Sequence, residues 1–238
     1  MLDETLPTSV RTSRAGKWFV YIFAVYVVLL ILSNIAATKI VAVGPDNGTW
    51  LPLILDGGAL MFPLTYIIDD ILAEIFGFKV ARRTILFSFF IGLLSMLILS
   101  LVAALPTLAN SPDTALVADS FGTVFAFYPR ILVASFSAFL AGQLLNSFVL
   151  NKIKHITGEE RALWLRLIGS TVVGELVDTA LFCTIAQWGQ FSTVSDFLNY
   201  TSVGYIWKVG VEVVLLPVTY AVIKFLKAPA EPRPTQVL

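Results

Sequence analysis

Charge is scarce in this sequence. Only 13% of its 238 residues are Asp, Glu, Lys or Arg, against about 25% in an average soluble domain. Acidic and basic residues balance at 16 each. That balance leaves no basic surface for nucleic acid. One cysteine, Cys183, excludes an intrachain disulfide and a thiolate cluster. One histidine, His155, lies in a polar loop. Zinc and haem therefore lack ligands, and neither a metal nor a cofactor is expected. A cleavable signal pattern is missing too. The apolar run after Met1–Gly16 is full length, and further apolar runs follow it.

What is present is apolar length. Hydrophobic residues make up 57% of the chain. A helix needs about 20 residues to cross a hydrocarbon core. Six spans are expected: Trp18–Ala37, Ala59–Phe76, Thr84–Leu105, Phe121–Leu150, Ala162–Phe191 and Val203–Leu226. The fold class is thus all-α, a polytopic membrane bundle in one domain over residues 18–226. A cytoplasmic segment, 1–17, precedes it, and a disordered polar tail, 227–238, follows. Spans four and five exceed a bilayer's need and must tilt, project or break. Pro129 is expected to break span four, leaving Phe121–Tyr128 as a short outer piece. Pro63 and Pro217 can kink spans two and six.

Basic residues orient the bundle. Arg11, Arg14 and Lys17 precede span one. Lys79, Arg82 and Arg83 follow span two; Lys152, Lys154 and Arg161 follow span four; Lys224, Lys227 and Arg233 follow span six. The alternate loops Pro106–Ser120 and Ser192–Ser202 have no Lys or Arg. Both termini are therefore expected in the cytoplasm. Between spans one and two, Asn47-Gly48 is flanked by Lys39–Val43 and Thr49–Leu55. That pattern predicts a β-hairpin on the outer face. It serves either as an ordinary interfacial loop or as a lid over a pocket.

The unusual feature is acid inside apolar spans. Asp69, Asp70 and Glu74 interrupt span two, Glu175 and Asp178 span five, and Glu212 span six. A charge at the bilayer centre costs roughly 2.5–3.5 kcal/mol on insertion scales. Facing spans must enclose a polar cavity there. At about 100° per residue, Phe62, Tyr66, Asp69, Asp70 and Glu74 share one broad arc. Thr171, Glu175, Asp178, Thr179 and Phe182 share another, and Tyr205, Lys208 and Glu212 a third. Arg130 heads a stripe of small residues, Ala134, Ser137 and Ala141.

Structural roles compete for some of these residues. Lys208 and Glu212, four apart, are expected to pair on one helix. The small stripe suits close helix packing. Gln143 and Asn146 can be interhelical hydrogen bonds. Arg166 snorkels, and Trp18, Trp164 and Trp188 form an interfacial belt. Phe62 and Tyr66 suit packing as well as stacking. Cys183 is a small buried hydrophobe. The acids are different. Six of them face only Arg130 and Lys208, so pairing cannot satisfy all of them as anions. Some must be protonated, hydrated or bound to a cationic group. That is a property of a transport site.

Several blocks carry a resemblance. They are Ser33-Asn34; Phe62-Pro63 with Asp69-Asp70, Ile75-Phe76-Gly77 and Ala81-Arg82-Arg83; Arg130 with Ala134-Ser135 and Gly142-Gln143; Ser170-Thr171 through Gly174-Glu175, Asp178-Thr179 and Trp188; and Lys208 with Pro217. Together they resemble the queuosine precursor transporter family, also called the vitamin uptake transporter family, from about Val20 to Leu226. The resemblance implies a multi-pass carrier of a prokaryotic inner membrane, six helices, and no enzymatic activity. It implies import of a deazaguanine base: the cyano or aminomethyl precursor of queuosine, or queuine. It also implies likeness to the substrate-binding subunits of energy-coupling-factor transporters. The expected partners are a small-molecule base and membrane lipid, with a homo-oligomer as one option.

A guanine-like edge presents adjacent N–H donors, which a carboxylate accepts in a charge-assisted pair. Glu175 and Asp178 are the first candidates for that role and Asp70 the second. The ring carbonyl needs a donor such as Asn34, Gln143, Arg130 or Lys208. The flat ring needs an aromatic face, offered by Phe62, Tyr66, Phe182 or Tyr205. The expected binding set is Asn34, Phe62, Tyr66, Asp69, Asp70, Glu74, Arg130, Gln143, Glu175, Asp178 and Lys208. Rival readings are an intramembrane hydrolase with paired carboxylates, an ion or proton exchanger, and a vitamin-binding subunit needing an ATPase module. The hydrolase lacks its Gly-x-Gly-Asp pattern, since the run here is Gly174-Glu175-Leu176-Val177-Asp178.

Overall fold

A computed structural model describes residues 14–45, 52–108, 110–157 and 163–228. The hairpin tip, the terminal segments and part of the loop after span four lie outside them. So do the side chains of Gln143, His155, Trp164 and Arg166. Six long helices follow one another: α1 (Arg14–Ala36), α2 (Phe62–Phe76), α3 (Phe78–Ala103), α4 (Pro112–Thr157), α5 (Leu163–Gln187) and α6 (Val194–Lys227). Five are long and apolar enough to cross a membrane, and α2 is not. At 15 residues, α2 is roughly 22 Å long. The polytopic all-α bundle expected from composition is the fold observed.

Chain chemistry explains where α2 begins. Asp56 accepts from the Ala59 amide at 3.1 Å and caps a 3₁₀ turn, Gly57–Leu60. Pro63 then sits in the first turn of α2, where its missing N–H costs nothing. Pro63 thus starts the helix rather than kinking it. A single residue, Gly77 at φ 81°, joins α2 to α3. That left-handed conformation suits glycine.

The expected break at Pro129 does not occur. Helix α4 runs unbroken for 46 residues with Pro129 inside it, roughly 70 Å. A proline removes one hydrogen bond, and within a long helix packed on neighbours that loss is tolerated. Pro217 likewise lies inside α6. The loop segments expected at 106–120 and 192–202 are partly helical, because α4 and α6 begin at Pro112 and Val194.

The hairpin is present. Strand β1 (Ile40–Val43) pairs antiparallel with β2 (Leu53–Asp56), Ile40 opposite Asp56 and Val43 opposite Leu53. Its Asn47-Gly48 turn lies outside the described residues. Helices α4 and α5 approach closely through glycine. A Cβ on Gly142 would meet Asp178 Cβ at 2.9 Å, and one on Gly174 would meet Asn146 Cβ at 2.9 Å. Buried Phe19, Leu72, Phe76 and Leu226 pack one end of the bundle. Phe62, Ile131, Ala134, Phe182, Cys183 and Tyr200 pack beneath the hairpin. Outward, α3 exposes Phe87, Phe90, Leu94, Leu97, Ile98 and Leu101, a face suited to lipid.

Candidate functional site

A narrow cleft of about 330 Å³, counting the space at its open mouth, lies between α2, α4, α5 and α6. Helix α2 contributes Tyr66 and Asp70; α4 contributes Phe139, Gly142 and Asn146. Helix α5 contributes Thr171, Gly174, Glu175 and Asp178, and α6 contributes Glu212. The spacing of Thr171, Glu175 and Asp178 puts all three on one face, as helical periodicity requires. Gly142 and Gly174 keep this wall thin, since neither adds a side chain where the two helices nearly touch.

Electrostatics inside the bundle differ from the simple i,i+4 expectation. Lys208 does not pair with Glu212. Its Nζ donates to Asp178 Oδ2 at 2.6 Å and lies 3.6 Å from Glu175 Oε2. It also stands 5.6 Å from the Phe62 ring centre and 5.5 Å from that of Tyr66, a cation–π distance. Glu212 instead accepts from Thr171 Oγ1 at 2.8 Å. The reason is geometric: α5 brings two carboxylates to Lys208 across the bundle, and two acceptors outcompete one neighbour on the same helix. Glu175 is 4% exposed, and its Oε2 makes no hydrogen bond. Asn146 Oδ1 is also buried without a partner. Tyr66 and Phe139 both line the cleft, and their rings lie 6.4 Å apart at 27°.

The remaining candidates fall elsewhere. Asp69 turns toward α1, where Tyr26 donates to its Oδ2 at 3.3 Å and its Oδ1 stays unpaired. Asn34 is fully buried and donates to the Leu30 carbonyl at 2.7 Å. Glu74 is half-exposed and pairs with Lys227 at 2.5 Å, so it is not a mid-span acid. Arg130 donates to the carbonyls of Ile185 and Trp188, both at 2.7 Å. It closes the C-terminal end of α5, where a cation is favoured by the helix dipole, and it balances no mid-span acid. Phe62 packs edge-on against Phe182, 5.9 Å between centres.

Sequence reasoning missed the hairpin's attachment. Tyr200 donates to Asp56 at 2.5 Å, and Trp207 Nε1 donates to the Ala59 carbonyl at 2.7 Å. Asn199 accepts from the Ile54 amide at 3.2 Å and donates to the Pro52 carbonyl at 3.4 Å. Burial of Asp56 raises its pKa; the Tyr200 hydrogen bond and Lys208 oppose that only in part. The cleft residues outside the expected binding set are Phe139, Gly142, Asn146, Thr171, Gly174 and Glu212; Phe139 and the two glycines look like ordinary packing in sequence. Asn146 was read only as an interhelical contact.

Comparison with known proteins bears on this arrangement. Residues 56–222 match the family described as "Putative vitamin uptake transporter". A Bacillus subtilis protein named "Probable queuosine precursor transporter" is 30% identical over 169 residues, 71% of this chain and 72% of its own length. The "Queuosine precursor transporter" of Escherichia coli is 29% identical over 70% of this chain and 71% of its own length. A "Probable queuosine precursor transporter" of Haemophilus influenzae is 26% identical over 78% of this chain and 74% of its own length. No solved structure matches significantly. The family match begins at Asp56, the last residue of β2, and covers the cleft and most of α6. With five apolar spanning helices beside it, the chain belongs to the vitamin uptake transporter family and is a multi-pass membrane transporter, not an enzyme.

Proposed function

We propose that this chain imports a queuosine precursor, a deazaguanine base, across the bacterial cell membrane and holds it in the cleft between α2, α4, α5 and α6. Relatives bearing that name support the substrate class. The observation that carries the binding mode is Glu175, whose Oε2 is buried in the cleft wall without a hydrogen bond. A buried acceptor left open is costly unless a ligand completes it. The adjacent N–H donors of a guanine-like edge fit a carboxylate in a bidentate pair. Lys208 holds Asp178 at 2.6 Å and stands 3.6 Å from Glu175 Oε2, beyond hydrogen-bond reach, so Glu175 is the more loosely held acid and the edge reader, and Asp178 is the group that positions Lys208. The ring lies against Tyr66 or Phe139, and the Asn146 amide meets the ring carbonyl.

Rescue of queuosine in tRNA tests the reading. A host unable to make or import the precursors is given this chain and fed each base separately. Queuosine appearing with at least one base is the expected result. Its absence with every base, while the chain is present in the membrane, overturns the proposal.

A further inference from the structure

We infer that Asp69 is a proton site that couples uptake of the base to a proton gradient, one proton carried with each base. This rests on the function proposed above and adds what drives it.

Asp69 is a buried acid that the cleft does not use. It is 4% exposed, and the fully buried Tyr26 donates to its Oδ2 at 3.3 Å. That is long for a hydroxyl donor. Its Oδ1 is buried and has no hydrogen-bond partner. Around Tyr26 stand Leu30 of α1, Ile85 and Phe89 of α3, and Leu132 of α4. A carboxylate buried in such surroundings is costly unless it is paired and hydrogen-bonded. Among the described residues no Lys, Arg or His forms an ion pair with it. Asp69 does not line the cleft, so the base cannot complete it. A proton can, because it removes the charge and needs no cavity.

Few titratable groups face Asp69. Helix α1 brings Tyr26, and its own helix brings Asp70 and Tyr66. Helices α3 and α4 make no hydrogen bond or ion pair to it among the described residues. On α5 and α6, Glu175, Asp178 and Glu212 line the cleft, and Lys208 is held by Asp178.

The coupling lies in α2. Asp69 and Asp70 are neighbours on it and point about 100° apart, one to α1 and the other to the cleft. Proton and base therefore act on two faces of one helix. That helix has only 15 residues and turns directly into α3 at Gly77, φ 81°. A charged Asp69 favours a placement of α2 in which water reaches it, and a protonated one favours the buried placement. Each placement sets Tyr66 and Asp70 differently in the cleft wall, which links the two sites energetically. The carboxylate takes one proton from water on one side of the membrane and returns it on the other; no other bond forms or breaks.

The test uses the purified full chain in sealed lipid vesicles, with the cyano and the aminomethyl deazaguanine as separate probes. Equal potassium on both sides with valinomycin holds the voltage at zero. The outside is made about one pH unit more acidic than the inside, a tenfold difference in proton activity. At least one base should then accumulate about tenfold, a protonophore should abolish the accumulation, and a pH dye inside should record protons entering with the base. In Asp69→Asn both signals should vanish, while exchange of labelled for unlabelled base at equal pH persists. If that variant fails to fold, Tyr26→Phe decides. It should shift the pH at which accumulation is half-maximal and leave exchange intact. Accumulation no higher with the gradient than without it overturns the coupling and leaves the proposed function standing. Gradient-driven accumulation unchanged in folded Asp69→Asn, loss of exchange together with accumulation there, or an unshifted profile in Tyr26→Phe removes Asp69 from this role. Transport of neither base overturns the proposed function and the coupling with it.

Discussion

The hairpin end and the cleft each enclose a carboxylate, and they treat it in opposite ways. At the hairpin, Asp56 receives the Tyr200 hydroxyl at 2.5 Å and the Ala59 amide at 3.1 Å. Every one of those donors comes from the chain itself, and the result is a strap fixed to α6. In the cleft, Glu175 is as deeply buried, yet its Oε2 has no donor. The nearest cation, Lys208, donates to Asp178 at 2.6 Å and only faces that Oε2 at 3.6 Å. Burial alone therefore does not mark a binding group. The distinction lies in whether the protein fills the acceptor or leaves it for something else.

The largest effect should come from removing the one cation inside this contrast. Lys208→Met leaves Asp178 and Glu175 buried without compensation. A loss of about 3–5 kcal/mol of stability is expected, read as a lower unfolding midpoint in detergent. Adding Asp178→Asn should recover much of it. Additive losses in the double variant would show that the two residues do not act as a pair.

Next in size is the cleft acceptor itself. Glu175→Gln keeps the shape and removes the charge that pairs with ring donors. Uptake should fall about 10- to 100-fold while the protein remains in the membrane. Full uptake at normal abundance would remove Glu175 from the edge-reading role.

Breaking the hairpin's carboxylate should act on stability first. Tyr200→Phe leaves Asp56 Oδ2 without its hydroxyl and should cost about 1–3 kcal/mol. An unchanged unfolding midpoint would mean that the strap is held by Trp207 and Asn199 alone.

The pH response of Asp56 sharpens the comparison further. Burial raises its pKa in the folded chain, so the folded state holds the proton more tightly than the unfolded one. Its contribution to stability is then fullest below the ordinary aspartate range and falls as pH rises through the folded value. The stability difference between wild type and Asp56→Asn should decline as pH rises above the ordinary aspartate range. A flat difference would contradict this. The smallest effect belongs to the half-exposed pair Glu74–Lys227. Lys227→Met should change stability by about 0–1 kcal/mol, because solvent screens such pairs.

The parts that were legible in sequence share a periodic or compositional signal. Long apolar runs marked six helices, five of them long and apolar enough to cross a membrane, and Asn47-Gly48 between alternating residues marked the hairpin. Helical spacing placed Glu175, Asp178 and Thr171 on one arc, and all three line the cleft. Other expectations failed for identifiable reasons. Pro129 reads as a break because one lost hydrogen bond is visible in sequence, whereas the packing that carries α4 through it is not. Asp69 and Asp70 are neighbours on one broad arc, yet a turn of about 100° sends one to Tyr26 and the other to the cleft. Glu74 looked like a mid-span acid until α2 proved short and Lys227 reached it.

What the sequence determined alone is the solvent and the class. Hydrocarbon length, scarce charge and intramembrane acids are properties of segments, and each segment meets lipid whatever its neighbours are. What only the tertiary structure decided is which charges meet. Lys208 had Glu212 one turn away on its own helix, but it reaches across to Asp178 and Glu175 instead. Pairing in a bundle depends on distance between helices, and that distance is set where Gly142 and Gly174 let α4 and α5 close together.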